Sequence, residues 1–338
     1  MAMTIYDISK KAGVSIATVS RVLNDSENVR PSTRKKVMDV IDKYDYTPNA
    51  FARGMGLHSL KTIGILCADS SDLFLAKAVY FLEQELQANG YESLLCCTGY
   101  NPDIKKNYLN LILSKKVDSI ILVGSHFIGF NEDENQYIKD VSTQVPIMLL
   151  NASFDHPNVY STLCDDYGTM FEAATEMIQS GITDILYLYD SKSYSGLKKL
   201  HGFCDAMKEH NIPGFEKLIH FYDGNIEHLN EVADFVARIA TKGTSFHGIM
   251  TSDDSLAIGS IKYAQKKGIR IPEDLSVMGY NNSMLTNCCT PELTSVDNRL
   301  ETLTHQLVQT LLGVLAGEEM PKKSIFSGKI IKRGTTLF

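Results

Sequence analysis

The sequence has no apolar run long enough to cross a membrane and no organised set of cysteines. No hydrophobic stretch approaches the roughly 18 residues that a membrane helix needs, and the segment MAMTIYDISKKAG lacks the basic-then-apolar pattern of a signal peptide. The seven cysteines include no CxxC pair, so neither a disulfide framework nor a zinc site is indicated. These absences predict a cytoplasmic protein whose thiols are reduced and mostly buried, with no metal site and no membrane association.

Sequence motifs that carry enzymatic chemistry are also missing. The chain has no HExxH, GxSxG, P-loop or GxGxxG, and its nine histidines lack metal-ligand spacing. Asp253 and Asp254 are adjacent, but neighbouring residues at a strand end point in different directions. We therefore expect one ligand contact and one helix cap from this pair, no catalytic residue, no cofactor and no enzymatic activity.

Charge is distributed unevenly along the 338 residues. Residues 1–61 hold ten Lys or Arg and six Asp or Glu, whereas the remaining 277 hold 23 basic and 34 acidic residues. A small basic head on a large acidic body predicts that only the head meets a polyanion. The 44% hydrophobic and 22% charged composition is ordinary for a folded chain of two or three domains.

The basic head predicts three short helices. Thr4 can cap the first, with Asp7 completing a capping box, and Gly13 ends it. Ser15 can cap a second helix over residues 16–23. A third begins with proline, which suits the first helical position, and carries apolar residues at helical spacing: Val37, Val40, Ile41 and Tyr44.

The body predicts an α/β fold with two doubly wound lobes. Short apolar runs alternate with segments long enough for crossover helices, which is typical of parallel sheets covered on both faces. Eight units exceed what one open sheet usually holds, so we expect two lobes divided near residue 161, with a ligand between them at the carboxyl ends of the strands. The runs cover residues 63–67, 91–97, 119–123, 147–150, 185–189, 218–222, 248–251 and 275–280.

A helix, a glycine turn and a second helix is the geometry that places the second helix in the major groove of DNA. Small and apolar side chains near its start suit thymine methyl groups, and Arg21 one turn later suits guanine or a phosphate. The alternative from spacing and charge alone is a three-helix bundle without DNA binding.

The residues TIYDISKKAGVSIATVSRVLN, from Thr4 to Asn24, closely resemble the helix-turn-helix signature of LacI/GalR-family bacterial transcription regulators. The resemblance continues through YTPNAFARGMG to the strand IGIL, and then weakly to the end. It implies a helix-turn-helix head and a core similar to type I periplasmic binding proteins, in a homodimer that reads a near-palindromic operator. The DNA contacts it implies are Thr4, Tyr6, Ser15, Ile16, Ala17, Thr18, Ser20, Arg21, Asn24, Asn49, Ala52, Arg53 and Met55.

The resemblance also implies the domain boundaries. Residues 1–48 form the DNA-binding head, 49–61 a hinge helix and linker, and 62–338 the effector-binding and dimerisation core. Within the core we expect one lobe at about 62–161 and 292–323 and the other at about 162–291 and 324–338. Met55 stands where the hinge helix wedges an apolar side chain into the minor groove, although a plain flexible linker stays open as an alternative.

Seven residues match effector-contact positions of the family at predicted strand ends or, for one, in a helix. They are Asp69, Asp72, Phe74, Asn151, Lys199, Asp253 and Asn281. Sugar-binding members carry arginine at position 199 and commonly aspartate at 281, so a sugar, a sugar phosphate or another polar metabolite stays open. The two asparagines could instead be turn residues, and Lys199 could be a solvated helix residue.

These observations together predict a repressor of a carbohydrate operon that is controlled by a small carbohydrate effector between the lobes. A global regulator controlled mainly by a partner protein is the alternative. A solute-binding protein would share the body but would not carry the basic head. A dimer is expected because no leucine heptads follow the last strand.

Overall fold

The computed structural model describes residues 3–23, 28–44, 46, 59–241 and 243–338. Five of the predicted DNA contacts, Asn24, Asn49, Ala52, Arg53 and Met55, lie outside these residues, and so does most of the predicted hinge.

The head forms its three helices where the sequence predicts them: α1 (Ile5–Ala12), α2 (Ile16–Leu23) and α3 (Pro31–Lys43). At the start of α1, the Asp7 amide donates to Thr4 Oγ1 at 3.4 Å and the Thr4 amide donates to Asp7 Oδ2 at 2.9 Å, which completes the capping box. Gly13 ends α1 at φ +61°, a left-handed conformation that glycine adopts without steric cost.

Apolar residues from all three helices form the core of the head, with Ile8, Val19, Val37 and Ile41 among its buried members. Tyr44 was expected to join them, but it is exposed, and Tyr46 is buried instead. The reason is that α3 ends at Lys43 and the Tyr46 amide bonds to the Ile41 carbonyl, which turns the second tyrosine inward.

The first lobe of the body is a six-stranded, fully parallel sheet in the order β11-β5-β4-β3-β1-β2 within the described residues. Its central strands read as unbroken apolar segments because helices cover both faces. The strands are β1 (Thr62–Cys67), β2 (Glu92–Cys97), β3 (Ser119–Val123), β4 (Ile147–Leu150), β5 (Val159–Cys164) and β11 (Lys323–Phe326).

Helices on the two faces of this sheet close two apolar clusters. One cluster includes Leu82 and Leu307 from a helix pair, and the other includes Leu109 and Ile138. The covering helices are α4 (Leu73–Ala88), α5 (Pro102–Ser114), α6 (Gln136–Ser142) and α11 (Leu300–Leu315).

The second lobe repeats this plan in the order β12-β10-β9-β8-β6-β7, and only β12 runs antiparallel to its neighbour among the described strands. Its strands are β6 (Ile185–Tyr189), β7 (Ile219–Phe221), β8 (Gly248–Thr251), β9 (Ser276–Tyr280), β10 (Thr294–Asp297) and β12 (Lys329–Ile331). Its helices are α7 (Asp166–Gln179), α8 (Tyr194–Glu209), α9 (Leu229–Thr241) and α10 (Asp254–Lys267). The predicted α/β architecture of two doubly wound lobes is confirmed.

The chain passes between the two sheets three times, after β5, after β10 and after β11. These crossings lie a few residues beyond the expected boundaries at 161, 292 and 323. The difference arises because β5 continues to Cys164 in its pairing with β11, and β10 pairs with β9 in the second sheet. None of the helices in the described part of the chain combines the length and apolarity that a bilayer-spanning segment requires.

Candidate functional site

One surface of the head exposes four of the predicted DNA contacts. Tyr6 on α1 is 68% exposed, and Ile16, Ala17 and Arg21 on α2 are exposed as well. They point outward because the opposite faces of both helices are buried in the core of the head. An exposed guanidinium with two apolar side chains one turn before it can read guanine and thymine in a major groove.

The serine and threonine residues among the predicted DNA contacts also take part in the structure of the head. Ser15 Oγ accepts a hydrogen bond from the Thr18 amide at 3.1 Å and lies 2.9 Å from Thr18 Oγ1, so the second helix has its predicted cap. Thr4 is occupied by the capping box of α1, and Ser20 is half-buried. The role of these four residues, Thr4, Ser15, Thr18 and Ser20, as DNA contacts stays a prediction.

A cleft between the two lobes brings together all seven predicted effector residues. It consists of an outer cavity of about 630 Å³ and an inner cavity of about 90 Å³. Asp69 lines the outer cavity and Asn151 and Lys199 line the inner one, whereas the others line both: Asp72, Phe74, Asp253 and Asn281. The carboxyl ends of parallel strands meet here, as expected for this fold.

The wall from the first lobe is the loop after β1. Asp72 caps α4 through the Leu75 amide, which donates to its Oδ1 at 2.8 Å. Burial raises the pKa of the Asp72 carboxyl, and the charges of Asp190 and Asp69 raise it further. Asp69 accepts hydrogen bonds from the Ser71 amide and hydroxyl, which lower the pKa of its carboxyl. Asp69 is therefore ionised at neutral pH.

Lys199 is buried within a polar network and does not lie in solvent. Its Nζ donates to the Ser252 carbonyl at 3.0 Å and lies 3.9 Å from the centre of the Tyr280 ring. The buried Asp166 accepts from Ser195 Oγ at 2.5 Å and from Tyr280 Oη at 2.6 Å. Burial raises the pKa of Asp166, and the ammonium group of Lys199 opposes that shift. The alternative of a solvated helix lysine does not hold.

Asn281 and Asp253 form the wall from the second lobe. Asn281 Nδ2 donates to Asp253 Oδ2 at 2.8 Å, and its Oδ1 accepts from Asn298 Nδ2 at 3.0 Å. Asp253 also caps α10 through the Ser255 amide at 2.7 Å. Burial, followed by the charges of Asp190, Asp254 and Asp72, raises the pKa of Asp253 to about 7. An aspartate at position 281 would place a second carboxylate against Asp253, which explains an amide here.

Asn151 also shows a reason for its residue type. Its φ of +62° lies in the left-handed region that asparagine tolerates better than most residues. The side chain is only 7% exposed, and its Oδ1 has no hydrogen-bond partner. A buried acceptor without a partner is uncommon in folded proteins, so this oxygen is available to a ligand in the inner cavity.

Sequence reasoning missed four residues with polar side-chain groups that line both cavities: Tyr100, His126, Asp190 and Ser191. Each follows β2, β3 or β6 by one to three residues. The strand-end rule that pointed to Asp69 and Asp253 would have found them. Asp190 accepts from Ser252 Oγ at 2.7 Å, and the His126 ring packs edge-on against Tyr100 at 4.8 Å between centres.

Comparison with known proteins agrees with both halves of the molecule. Residues 4–49 match the family of bacterial regulatory proteins named after LacI, and residues 174–336 match a periplasmic binding protein-like domain. The chain is 50% identical over 336 residues to an HTH-type transcriptional regulator of Lachnoclostridium phytofermentans, covering 99% of this chain and 100% of that protein. This chain belongs to the LacI family of transcriptional regulators.

A further LacI-family relative is catabolite control protein A of Priestia megaterium, which is 33% identical over 88% of this chain and 87% of that protein. Solved structures share the fold at lower identity. A lac repressor dimer bound to operator and an anti-inducer superposes with a TM-score of 0.89 at 20% identity, covering both chains fully. A CelR–cellobiose complex gives 0.71 at 20% identity, covering 98% of this chain and 99% of that one.

As a LacI-family protein, the chain is a DNA-binding transcriptional regulator with a helix-turn-helix head, and the family consists of regulators and not enzymes. Its cleft departs from the resemblance at Lys199 and Asn281. In both cases the side chain is already engaged by protein groups, Ser252 and Tyr280 for the lysine and Asp253 for the asparagine.

Proposed function

We propose that this regulator is a cytoplasmic homodimeric repressor whose operator binding is controlled by a small carbohydrate-class effector held between the lobes. The observation that carries the proposal is the convergence of seven predicted contacts, from both lobes, on one cleft. A ligand that touches both lobes changes their relative position, and the three chain crossings between the two sheets transmit the movement. In this proposal the chain is divided into a DNA-binding head, a hinge and a two-lobed core.

Two of the structural relatives support this assignment by what they hold. One is a repressor bound to an operator as a dimer, and another is a regulator in complex with cellobiose. The alternative is control mainly by a partner protein. The cleft does not favour it, because a small molecule bound there would account for the control. The regulator would then act by binding alone, without enzymatic chemistry.

The DNA-reading role rests on Arg21 and its exposed neighbours on α2. We expect Arg21→Ala to weaken binding to the cognate operator about tenfold or more, because a guanine contact contributes about 1–3 kcal/mol. Fluorescence anisotropy on promoter fragments from the native locus would measure the change at fixed salt. Lys43→Ala is the matched control, since it removes one exposed charge from the end of α3.

The effector role is tested in the same assay by adding carbohydrates. We expect at least one to shift the operator titration of the wild type, and Phe74→Ala to abolish that shift, because Phe74 lines both cavities. If the protein ignored every promoter fragment in dilute buffer, with or without metabolites, the assignment as an operator-binding repressor would be wrong.

The dimer face that we propose is the outer edge of the first lobe. β2 is an edge strand on which Leu94 and Leu95 are 38% and 44% exposed, and Tyr80 is exposed on the neighbouring α4. An unprotected edge with apolar side chains is the kind of surface that pairs with another chain. Leu95→Lys should convert the dimer to a monomer in sedimentation velocity, whereas Leu111→Lys on α5 should not.

A further inference from the structure

The cleft carries an excess of negative charge. Asp69 and Asp72 enter it from the first lobe, and Asp190 and Asp253 enter it from the second. Glu227 adds a fifth carboxylate at the outer cavity. Among the described residues that line the two cavities, the basic side chains are Lys199 and His126 alone.

Neither basic side chain offsets these carboxylates. The ammonium group of Lys199 is 7% exposed and is held by the Ser252 carbonyl and the Tyr280 ring. Its charge acts on the buried Asp166, whose pKa it lowers against the effect of burial. Burial and the nearby Lys105 lower the pKa of His126, so the imidazole is neutral at pH 7.

The carboxylates on opposite walls affect each other. Asp190 in the second lobe raises the pKa of Asp72 in the first lobe, and both raise the pKa of Asp253. Such shifts of Asp72 and Asp253 arise from charges that lie close by in a region of low dielectric. Closure of the lobes on a neutral or anionic ligand would bring these charges closer with nothing between them to compensate.

The inner cavity also offers acceptors. Asn151 Oδ1 is buried without a partner. Asp72 accepts hydrogen bonds from the Leu75 and Phe74 amides, and Asp190 accepts one from the Ser252 hydroxyl through Oδ1. Because an ionised carboxylate has about four lone-pair sites, both keep capacity for a ligand. A group with several donors and no acceptor suits this cavity, and an alkylammonium group, with three N–H donors, has that character.

We propose that the effector is a carbohydrate bearing a protonated amine, with its ammonium group in the inner cavity between Asp72 of one lobe and Asp190 of the other. The inner cavity of about 90 Å³ holds the ammonium end, and the outer cavity of about 630 Å³ holds the hydroxyl-bearing remainder against Phe74 and Tyr100. Sugar phosphates are excluded by the same charges. This inference rests on the proposed function, since it specifies the ligand of that cleft.

A metal cation suits the cavity less well than an amine. Both oxygens of Asp253 are already engaged, by the Ser255 amide and Asn281 Nδ2, and one oxygen of Asp72 caps α4. Calcium needs six to eight oxygen ligands, and no cluster of His, Cys, Asp and Glu side chains in the described residues is arranged to hold a metal ion.

The test compares sugars of the same ring stereochemistry that carry a positive charge, no charge or a negative charge. Calorimetric titrations at pH 7 would use matched sets in the gluco, galacto and manno series: the 2-amino sugar, the parent sugar and its 6-phosphate. We expect the amino sugar of one series to bind at least tenfold more tightly than its parent, and the phosphate to bind more weakly than either.

Two variants locate the amine. Asp190→Asn and Asp72→Asn should each reduce the affinity for the amino sugar at least tenfold, and by a larger factor than the affinity for the parent sugar, so that the preference for the amine is lost. Asparagine retains the cap of α4 at position 72, and thermal melting checks that both variants fold. The control is Asp274→Asn, which removes a surface carboxylate paired with Arg270 and should leave both affinities unchanged.

The outcomes separate the two levels of the proposal. If a parent sugar binds as tightly as its amino form, or if the preference for the amine survives in both variants, the inference is wrong and the carbohydrate-controlled repressor stands. If no member of any series binds, the carbohydrate effector itself is overturned, and the amine with it.

Discussion

The Ser125 hydroxyl donates a hydrogen bond to Ser193 Oγ at 2.8 Å, which joins the two lobes directly at the inner cavity. Ser125 follows β3 of the first lobe, and Ser193 caps α8 of the second through the Gly196 amide. Ser191 Oγ adds a second hydrogen bond to Ser193 at 2.8 Å. A direct hydrogen bond between the lobes therefore lies at the wall of the inner cavity.

We expect a double-mutant cycle of Ser125→Ala and Ser193→Ala to give a coupling free energy of about 0.5–1.5 kcal/mol in urea unfolding, the usual net contribution of one hydrogen bond. The cycle is needed because Ser193 also caps a helix. Ser114→Ala, whose hydroxyl bonds within its own helix to Leu111, replaces Ser125→Ala in the control cycle and should show no coupling. Equal coupling in both cycles would contradict a bond between the lobes.

Lys199 is expected to stabilise the second lobe through its charge. Lys199→Met leaves Asp166 buried without its neighbouring cation, which should lower the free energy of unfolding by about 3–5 kcal/mol at pH 8. The loss should shrink toward pH 5, because removal of the cation raises the pKa of Asp166 further and the protonated acid tolerates burial.

Lys198→Met provides the comparison for Lys199→Met on the same helix, since Lys198 is exposed. Its effect should stay within about 0.5 kcal/mol at both pH values. A loss at position 199 that does not vary with pH would show that packing of the alkyl chain, and not the ammonium charge, is what matters there.

The neighbouring asparagines 281 and 282 should respond in opposite ways to the same change. Asn281→Asp puts a carboxylate beside Asp253, the Oδ2 of which lies 2.8 Å from Asn281 Nδ2. Asn282→Asp instead strengthens a contact with Arg333, whose Nη2 donates to Asn282 Oδ1 at 2.8 Å. Both positions have positive φ, so backbone preferences are matched.

The pH dependence of Asn281→Asp follows from the pKa of Asp253, which is about 7 in the folded protein and 3.8 as its ordinary value. A second carboxylate raises it further, so the folded state binds more protons than the unfolded state from about pH 4 upward. Stability of the variant should thus fall as pH rises through this window, to a loss of about 3 kcal/mol at pH 8 relative to wild type. Melting curves at pH 5 and pH 8 check this, and equal losses for both variants would disprove it.

The cysteines should fall into two classes of reactivity. The sequence predicts mostly buried thiols, but this prediction is wrong, because only Cys67 and Cys164 are buried. Cys97 and Cys288 are exposed, and the other three cysteines are half-buried. Burial raises the pKa of both buried thiols to about 12. Mass spectrometry after brief maleimide treatment at pH 7 should find Cys97 and Cys288 labelled and Cys67 and Cys164 unlabelled, and labelling of Cys67 at the same rate would contradict the packing of β1.

The elements that sequence analysis located have strong local signals. Thr4 and Ser15 cap α1 and α2 because their side chains accept hydrogen bonds from amides of the first turn. The third helix, α3, begins at Pro31, which has no amide hydrogen to satisfy. The eight predicted strands are mostly apolar. By contrast, β5 and β10 place buried polar residues such as Ser161 and Ser295 in the sheet, and β11 and β12 are short edge strands with exposed lysines. No apolar run marks them.

In the cleft, too, the sequence predicts some features and not others. Strand ends and family resemblance pointed to seven cleft residues, yet the partners of Lys199 and Asn281 lie in segments distant along the chain. The sequence offers no sign that Lys199 contacts Ser252 or that Asn298 bonds to Asn281. These contacts require the tertiary packing of the second lobe, and the charge of the cleft emerges only when both lobes contribute their residues to it.

The three crossings also bear on how the regulator is made. Because β11 and β12 lie between residues 323 and 331 and complete one sheet each, a ribosome must add these residues before either sheet of the core is complete. The head needs only the earliest segment for its own core. A growing or prematurely terminated polypeptide would therefore carry a folded DNA-binding head on an incompletely folded core. Cellular quality control must distinguish such a polypeptide from the complete regulator.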